Sequence, residues 1–178
     1  LTLGITLAAE DILGNVAGGL VILSSRPFAL GDFIEAGGIS GTVREIGLNH
    51  TKLETPDGQM VLMPNKDLSS SKIINYTVLG RRRIVRTVTA SYDAPTETVM
   101  TACMEAVEAT ANILPDPAPA VHLTDYGASS IEYTIYCWCT VENYWPAYHS
   151  INEKLRDTFA KHNVEMTYDH LNVHILDK

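Results

Sequence analysis

Few residues in this sequence combine the chemical type and the spacing that a reaction or a metal would require. His170 and His174 would share one face of a strand but lie about 13 Å apart. That separation is too large for both to bind one zinc ion at about 2.0–2.1 Å. The serines at 69–71 lack a G-x-S-x-G turn, and the glycine-rich phosphate motifs G-x-G-x-x-G and G-x-x-x-x-G-K-[ST] are absent from the sequence. We therefore predict no catalytic residue, no metal and no cofactor, and we expect that the protein is not an enzyme.

The charge balance argues against nucleic acid as a partner. The chain has 13 Lys and Arg against 21 Asp and Glu, a formal net charge of -8, whereas binding to a phosphate backbone needs clustered cations. The one cationic cluster consists of Arg81, Arg82, Arg83 and Arg86. Two interpretations of this cluster are open: a solvated connector between two regions, and a local positive field at a passage or an interface.

The first 25 residues differ from the rest because they are apolar and almost uncharged. Their only charged residues are the adjacent Glu10 and Asp11. The apolar runs on either side, 1–9 and 12–23, are each shorter than the roughly 20 residues that cross a bilayer core. Hydropathy alone therefore does not decide between a membrane segment and a pair of buried helices in a soluble protein.

Local signals divide this segment into two helices. Asp11 is a natural N-cap for a helix that starts at Ile12, which predicts a kink or break at residues 10–11. The second helix should end before Pro27, because a proline disfavours helical geometry in the residue that precedes it. The apolar stripe of this helix consists of Ile12, Val16, Leu20 and Leu23.

Small residues recur at a spacing of four along the same segment, as Gly4 with Ala8 and as Gly14 with Gly18. This spacing lets helix backbones approach closely. Each interior glycine costs a soluble helix roughly 0.8–1 kcal/mol relative to alanine, so the glycines indicate close packing that offsets this loss. We predict that these four residues pack against neighbouring helices.

Residues 29–79 consist of short β-rich runs separated by glycine, proline and aspartate. The runs are GDFIEAGG, ISGTVREI, HTKLET, QMVLMP and KIINYT. Pro56-Asp57-Gly58 predicts a hairpin turn, since proline fixes φ and glycine accepts a positive φ. Several short strands within about fifty residues are typical of a small barrel or a partly open sheet. We predict a small all-β, barrel-like (Sm-like) domain.

Residues 80–178 change to alternating strands and helices. The predicted order is strand RIVRTVTAS, helix 95–112, strands AVHLTDY and IEYTIYCWC, helix 147–162 and strand HLNVHIL. The order β-α-β-β-α-β is that of the ferredoxin-like split unit. We therefore predict an α+β ferredoxin-like C-terminal domain.

From Leu3 to about Ile175 the sequence resembles the family of small-conductance mechanosensitive channels (MscS). The motifs that carry the resemblance are Gly14-Asn15 through Gly19, Arg26-Pro27-Phe28, Gly31-Asp32, Gly38-x-x-Gly41-Thr42-Val43, Met63-Pro64-Asn65, Ile74-Asn75-Tyr76, Tyr92-Asp93 and Gly127-Ala128-Ser129-Ser130. Each motif alone is weak evidence for the family, but their order and spacing together make the resemblance specific.

The resemblance implies a homo-heptamer in the cytoplasmic membrane that opens under membrane tension and releases ions and small solutes in hypo-osmotic shock. Residues 1–28 would be the third transmembrane helix, which lines the pore and contacts membrane lipid, and two membrane helices would precede Leu1. The residues after about 28 would form a cytoplasmic vestibule with openings between subunits. Leu3 and Leu7 fall on the two leucines that seal the pore in this family.

The chain departs from the family pattern at the helix break. The pattern has Gln-Gly there, whereas this chain has Glu10-Asp11. Seven copies of an acidic pair near a pore exit would favour cations, because repeated carboxylates concentrate counter-ions in a narrow passage.

A function of a different class is also compatible with the predicted domains. Small barrels and ferredoxin-like units occur in soluble oligomeric modules that bind RNA or metabolites and have no channel activity. The acidic charge disfavours the RNA version. The sequence upstream of Leu1 would discriminate between the two classes, since two long apolar segments there would support a channel.

Overall fold

A computed structural model describes the backbone of residues 2–169 and the side chains of residues 9–169. The chain divides into two compact units, residues 1–80 and residues 81–178. Each unit has a hydrophobic core of its own.

The first element is one helix, α1, which spans Thr2–Ser25. It continues through Glu10 and Asp11 without interruption, so the predicted division into two helices is wrong. Asp11 caps no helix, because it lies inside α1, where its backbone carbonyl also accepts a hydrogen bond from the Asn15 side chain at 2.9 Å. The N-cap preference of an aspartate is worth only about 1 kcal/mol. It is smaller than the cost of the helical hydrogen bonds that a break would remove.

The end of α1 agrees with the prediction. Arg26 has a left-handed φ of 48°, and its N–H donates to the Ile22 carbonyl at 2.9 Å. This bond closes the last turn before Pro27. Across the described residues, no helix contains an apolar stretch of the length and hydropathy needed to cross a lipid bilayer.

Unit 1 continues with an antiparallel sheet. Its strands are β1 (Phe33–Ala36), β2 (Ile39–Ile46), β3 (His50–Glu54), β4 (Met60–Pro64) and β5 (Ile73–Asn75), in the spatial order β4-β3-β2-β1-β5. They match the five predicted runs, and the predicted turn between β3 and β4 has Gly58 at a φ of 75°. A six-residue helix, α2 (Asn65–Ser70), joins β4 to β5 and was not predicted. The predicted β-rich domain is therefore confirmed, but α2 means that it is not all-β, and the described strands leave β4 and β5 as edges and close no barrel.

The core of unit 1 includes the C-terminal end of α1. Ile22 and Phe28 are buried there together with the sheet and α2 residues Ile34, Ala36, Val43, Leu53 and Leu68. Burying one such side chain stabilises the fold by roughly 1.5–3 kcal/mol. This burial attaches the last turns of α1 to the sheet.

Unit 2 has the predicted element order as far as the structure describes it. The elements are β6 (Arg81–Ala90), α3 (Thr96–Glu108), β7 (Ile113–Leu114), β8 (Ala120–Tyr126), β9 (Ile131–Thr140) and α4 (Tyr144–Lys161). Strand β9 pairs antiparallel with β6 on one side and with β7 and β8 on the other. The short strand β7 was not predicted, and the predicted closing strand HLNVHIL lies outside the described residues.

The two helices of unit 2 pack on one face of its sheet. The inward residues of β9, such as Tyr133 and Ile135, are fully buried against α3 and α4 residues such as Val99 and Ile151. The outward residues of β6, β8 and β9 form what we call the open sheet face. Its residues are Arg81, Arg83, Val85, Thr87, Thr89, Ala120, His122, Thr124, Asp125, Glu132, Thr134, Tyr136, Trp138 and Thr140.

Candidate functional site

Helix α1 packs directly against backbone atoms of its own chain, at a contact that we call the α1 joint. The joint consists of Asp11, Gly14, Asn15, Gly18 and Gly19 of α1 with Leu48, Asn65 and Lys66. A Cβ at Gly18 would lie 2.5 Å from the Asn65 carbonyl oxygen, and one at Gly19 would lie 2.4 Å from the Leu48 carbonyl oxygen. Van der Waals contact requires about 3.5 Å. No side chain therefore fits at either glycine without movement of the backbone.

The structure brings two of the four predicted packing residues into this joint. Gly18 faces the start of α2, and a Cβ at Gly14 would meet only the flexible stem of Lys66, at 3.0 Å from its Cδ. The surroundings of Gly4 and Ala8 lie outside the described side chains. Contacts of these small residues with other copies of the helix stay a prediction.

Two polar links from Lys66 hold the middle of α1. Its backbone N–H donates to the Asn15 Oδ1 atom at 3.1 Å, which supplies a partner for a donor in the first turn of α2. Its Nζ lies 3.0 Å from the Asp11 carboxylate. The hydrogen bond to Asp11 raises the pKa of Lys66 above its ordinary value, so the lysine is charged at neutral pH.

Asn65 organises the sheet side of the joint. Its side chain is fully buried, and its Nδ2 atom donates to the carbonyls of Gly47 at 2.8 Å and Leu48 at 2.9 Å. Its Oδ1 atom accepts a hydrogen bond from the Thr51 hydroxyl at 2.9 Å. Each of these hydrogen bonds joins the Asn65 amide to another residue of unit 1. The amide therefore fixes the carbonyl against which Gly19 packs.

The predicted apolar stripe of α1 lies mostly away from this joint. Ile12, Leu20 and Leu23 are exposed, and the buried apolar residue of the helix at this level is Ile22. The reason is steric, since only the glycine-lined face can approach the backbone of α2 and of the segment before β3.

The predicted pore-seal residues, Leu3 and Leu7, lie in α1 by backbone, but their side chains lie outside the described part. One turn separates them, so they share a helix face. Both residues of the acidic pair that follows, Glu10 and Asp11, are exposed, and the Asp11 carboxylate contacts Lys66. The roles of these residues in a seal and in ion selectivity stay predictions.

The cationic cluster belongs to strand β6, at the start of unit 2, and the interpretation as a solvated connector stays a prediction. Arg81, Arg82 and Arg83 pair in register with Thr140, Cys139 and Trp138 of β9. Each guanidinium carbon of the cluster lies over an aromatic ring, at 5.1 Å for Arg81 with Trp138, 3.7 Å for Arg82 with Tyr144, 5.2 Å for Arg83 with Tyr136 and 5.9 Å for Arg86 with Tyr148. The interpretation as a positive field at a passage stays a prediction.

Metal ligands do not cluster in the part of the chain that the structure describes. Within it, no group of three or more His, Cys, Asp and Glu side chains is arranged to hold an ion. His170 and His174 lie outside this part. The residues that sequence reasoning missed are Lys66 and the polar contacts of Asn65. Asn65 belongs to one of the quoted motifs, whereas no local pattern marks Lys66 as the partner of a residue 55 positions away.

Two family models match the chain. The one described as "Mechanosensitive ion channel, beta-domain" matches residues 11–78, and the one described as "Mechanosensitive ion channel MscS, C-terminal" matches residues 84–166. The small-conductance mechanosensitive channel of Edwardsiella ictaluri is 30% identical over 97% of this chain and 60% of its own length. The channel MscMJ of Methanocaldococcus jannaschii is 31% identical over 97% of this chain and 51% of its own length. The chain thus spans little more than half the length of these relatives, which are named as channels and not as enzymes.

Solved structures agree with this comparison. The crystal structure of Helicobacter pylori MscS in a closed state superposes with a TM-score of 0.92 at 26% identity, over 99% of this chain and 70% of that one. The cryo-EM structure of Arabidopsis thaliana MSL1 superposes with a TM-score of 0.77 at 30% identity, over 94% of this chain and 63% of that one. The chain belongs to the MscS family of mechanosensitive ion channels.

Proposed function

We propose that this chain is part of the subunit of a mechanosensitive ion channel, which opens under membrane tension and releases ions and small solutes in hypo-osmotic shock. The observation that carries the proposal is the α1 joint in a chain of this family. An apolar helix is held by backbone contact to its own β unit, while large apolar side chains on its other sides stay exposed. A module of this kind can transmit a movement of the helix to the β unit.

The exposed side chains of α1 support a membrane-associated oligomer. Ile12, Leu13, Leu20, Val21 and Leu23 are all exposed, and Leu13 exposes 66% of its surface. A contiguous apolar surface on a helix marks contact with lipid or with other protein copies. We propose a homo-heptamer in which membrane lipid and neighbouring copies of α1 cover these residues, with the residues after about 28 in the cytoplasm. Mass measurement of the full-length protein in detergent tests this, and a monomer would contradict it.

The pore would lie along the N-terminal part of α1. Rings of Leu3 and Leu7, contributed by each copy, would form a constriction that excludes water, which an ion crosses only by losing hydration. Gly4 and Ala8, one position further along the helix, would let neighbouring copies slide as the ring widens. In this arrangement residues 1–28 form the pore-lining segment.

The α1 joint would make α1 and the β unit move together. Gly18 and Gly19 leave no free space between the helix and the backbone beneath it. The links from Lys66 to Asn15 and Asp11 hold the preceding turns in register. A lateral movement of the helix under tension must then carry the β unit with it or break the joint, starting at the exposed Asp11–Lys66 contact.

A polar substitution in the constriction tests the channel proposal. We expect that Leu7→Ser in the full-length protein wets the seal, lowers the tension for opening in patch recordings and slows cell growth through leak. Leu79→Ser is a matched control, because Leu79 exposes 80% of its surface in unit 1, and its threshold should equal that of the parent. Recordings without tension-gated currents from the parent would contradict the function. A threshold for Leu7→Ser at or above that of the parent, at normal expression, would contradict the seal.

The acidic pair provides a separate test of selectivity. If Glu10 and Asp11 face the permeation path or its inner mouth, replacing them by glutamine and asparagine should shift the reversal potential in asymmetric salt towards anions. Asp57→Asn in the β3–β4 turn removes a carboxylate elsewhere and should leave the potential unchanged. Equal reversal potentials for all three proteins would show that the pair does not act on permeating ions.

A further inference from the structure

The open sheet face of unit 2 carries two aromatic rings side by side. Tyr136 and Trp138 lie two residues apart on β9, so both point to this face at a spacing of about 6.6 Å. Strand β9 is flanked by β6 on one side and by β7 and β8 on the other, which places the rings near the middle of the sheet. Helices α3 and α4 pack on the opposite face, and both rings stay partly exposed. The rings therefore offer a surface on which a planar group can stack.

Two arginines lie over the same rings. The guanidinium carbon of Arg81 lies 5.1 Å from the centre of the Trp138 ring, and that of Arg83 lies 5.2 Å from the centre of the Tyr136 ring. The ring of His122 lies 6.0 Å from that of Tyr136 on the other side. Within the described residues, neither arginine forms an ion pair with a carboxylate. Two cations thus lie exposed and unneutralised in a chain whose net charge is -8.

A row of hydroxyl groups separates this aromatic and cationic part from the acidic end of the face. The Thr134 hydroxyl lies 3.4 Å from that of Thr87 and 3.0 Å from that of Thr124. Beyond the row are Asp125 and Glu132, which face each other across β8 and β9. Since Glu132 lies six positions before Trp138, their distance along the strand is about 20 Å. The charge on the face is therefore divided, with the cations grouped around the aromatic rings.

We propose that the open sheet face binds a nucleoside phosphate. The base takes the place of a guanidinium group over Trp138 or Tyr136, and the phosphate pairs with the guanidinium groups of Arg81 and Arg83. Arginine suits this role because its planar fork of donors matches two oxygens of a phosphate group. Of the threonines next to the rings, Thr134 is buried, and the more exposed Thr87 and Thr124 supply hydroxyl partners for a ribose. Sheets of the same α/β order in RNA-binding modules stack bases on aromatic residues in a comparable way.

Charge favours a free nucleotide over a nucleic acid as the occupant. Only two arginines border the rings, whereas a polynucleotide needs a track of cations along its backbone. The net charge of -8 also repels a long polyanion. A free nucleotide places its few negative charges within reach of both arginines. The inference concerns unit 2 alone and does not rest on the proposed channel activity.

A fluorescence titration measures this binding directly. The sequence contains two tryptophans, Trp138 and Trp145, so Trp145→Phe in the full chain leaves Trp138 as the single reporter. We expect that ATP quenches this signal to saturation. Adenosine, which lacks the charge, and inorganic tripolyphosphate, which lacks the base, should each bind at least about tenfold more weakly. Calorimetry of the unsubstituted chain gives the same comparison without the substitution.

Substitutions then locate the site. The double variant Arg81→Gln, Arg83→Gln should weaken ATP binding about tenfold or more. Arg156→Gln, on the exposed surface of α4, should leave it unchanged. Equal affinity of the double variant and the parent would overturn the proposal, as would tripolyphosphate binding as tightly as ATP. Tighter binding of a single-stranded RNA oligomer, with a steep dependence on salt, would assign the face to nucleic acid and overturn the free nucleotide.

Discussion

Replacing Gly18 by alanine tests the α1 joint most directly. The added Cβ would lie 2.5 Å from the Asn65 carbonyl oxygen and 2.8 Å from the Lys66 backbone nitrogen. Both atoms belong to backbone that the buried Asn65 side chain holds in place. The contact is about 1 Å too short for van der Waals packing, so α1 must move away from α2 by about this distance.

The expected free-energy loss of Gly18→Ala is the difference between two opposed effects. Overpacking against atoms that cannot move costs about 1–3 kcal/mol, and the upper part of this range applies because the obstacle is backbone. Alanine in place of an interior glycine recovers about 1 kcal/mol of helix propensity. We expect a net loss of about 2 kcal/mol in the docking of α1. For Gly14→Ala we expect no loss, because the Cβ meets only the flexible Lys66 stem at 3.0 Å.

Amide hydrogen exchange read by mass spectrometry measures this docking on peptides that cover α1. A loss of about 2 kcal/mol corresponds to roughly 30-fold faster exchange through local opening. Gly14→Ala serves as the matched control, since it makes the same chemical change one turn away and should exchange at the parent rate or more slowly. Equal exchange rates in the two variants would refute the reasoning, because they would show that α1 does not rest on backbone at Gly18.

Three further predictions concern stability and reactivity. Asn65→Ala removes the three hydrogen bonds of a buried side chain and should lower the free energy of unfolding by about 3 kcal/mol in urea titrations. A loss below about 1 kcal/mol would contradict the role of this amide. Hydrogen bonds from Lys161 and His162 hold the pKa of Glu105 below its ordinary value. Their stabilisation should therefore be complete above the ordinary glutamate pKa and be lost as pH falls through the lower folded value. Thermal unfolding measured against pH should show this acid-side loss in the parent and not in Glu105→Gln. Burial raises the pKa of Cys103 to about 12, so iodoacetamide at pH 8 should label it only at the rate of unfolding, and rapid labelling of the folded protein would be the contrary result.

Local chemistry in the sequence determined the element order. The strands of unit 1 and the turn at Pro56-Asp57-Gly58 follow from alternation and from residues that accept turn geometry, both of which act over two to four positions. The end of α1 before Pro27 has the same origin. The six-residue helix α2 could not be predicted, because a segment of this length shows no helical period and its start depends on the buried Asn65 side chain.

The continuity of α1 and the partner of its glycine face were decided by tertiary structure. The capping signal at Asp11 was correct as a local preference, but its small free energy did not interrupt a helix that the sheet supports further along. The spacing of Gly14 and Gly18 indicates close packing without naming the partner. That partner includes Lys66, 55 residues after Asp11, and a contact of this separation depends on the path of the whole β unit.

The arginines of β6 show the same division between local and tertiary information. Alternation along a strand predicts that Arg81 and Arg83 share one face and that Arg82 lies on the other. The aromatic partners come from β9 and α4, more than fifty positions later. Local sequence decides which backbone conformations have low energy at each residue. Which side chains meet depends on the register between strands, and that register exists only once the unit has folded around its core.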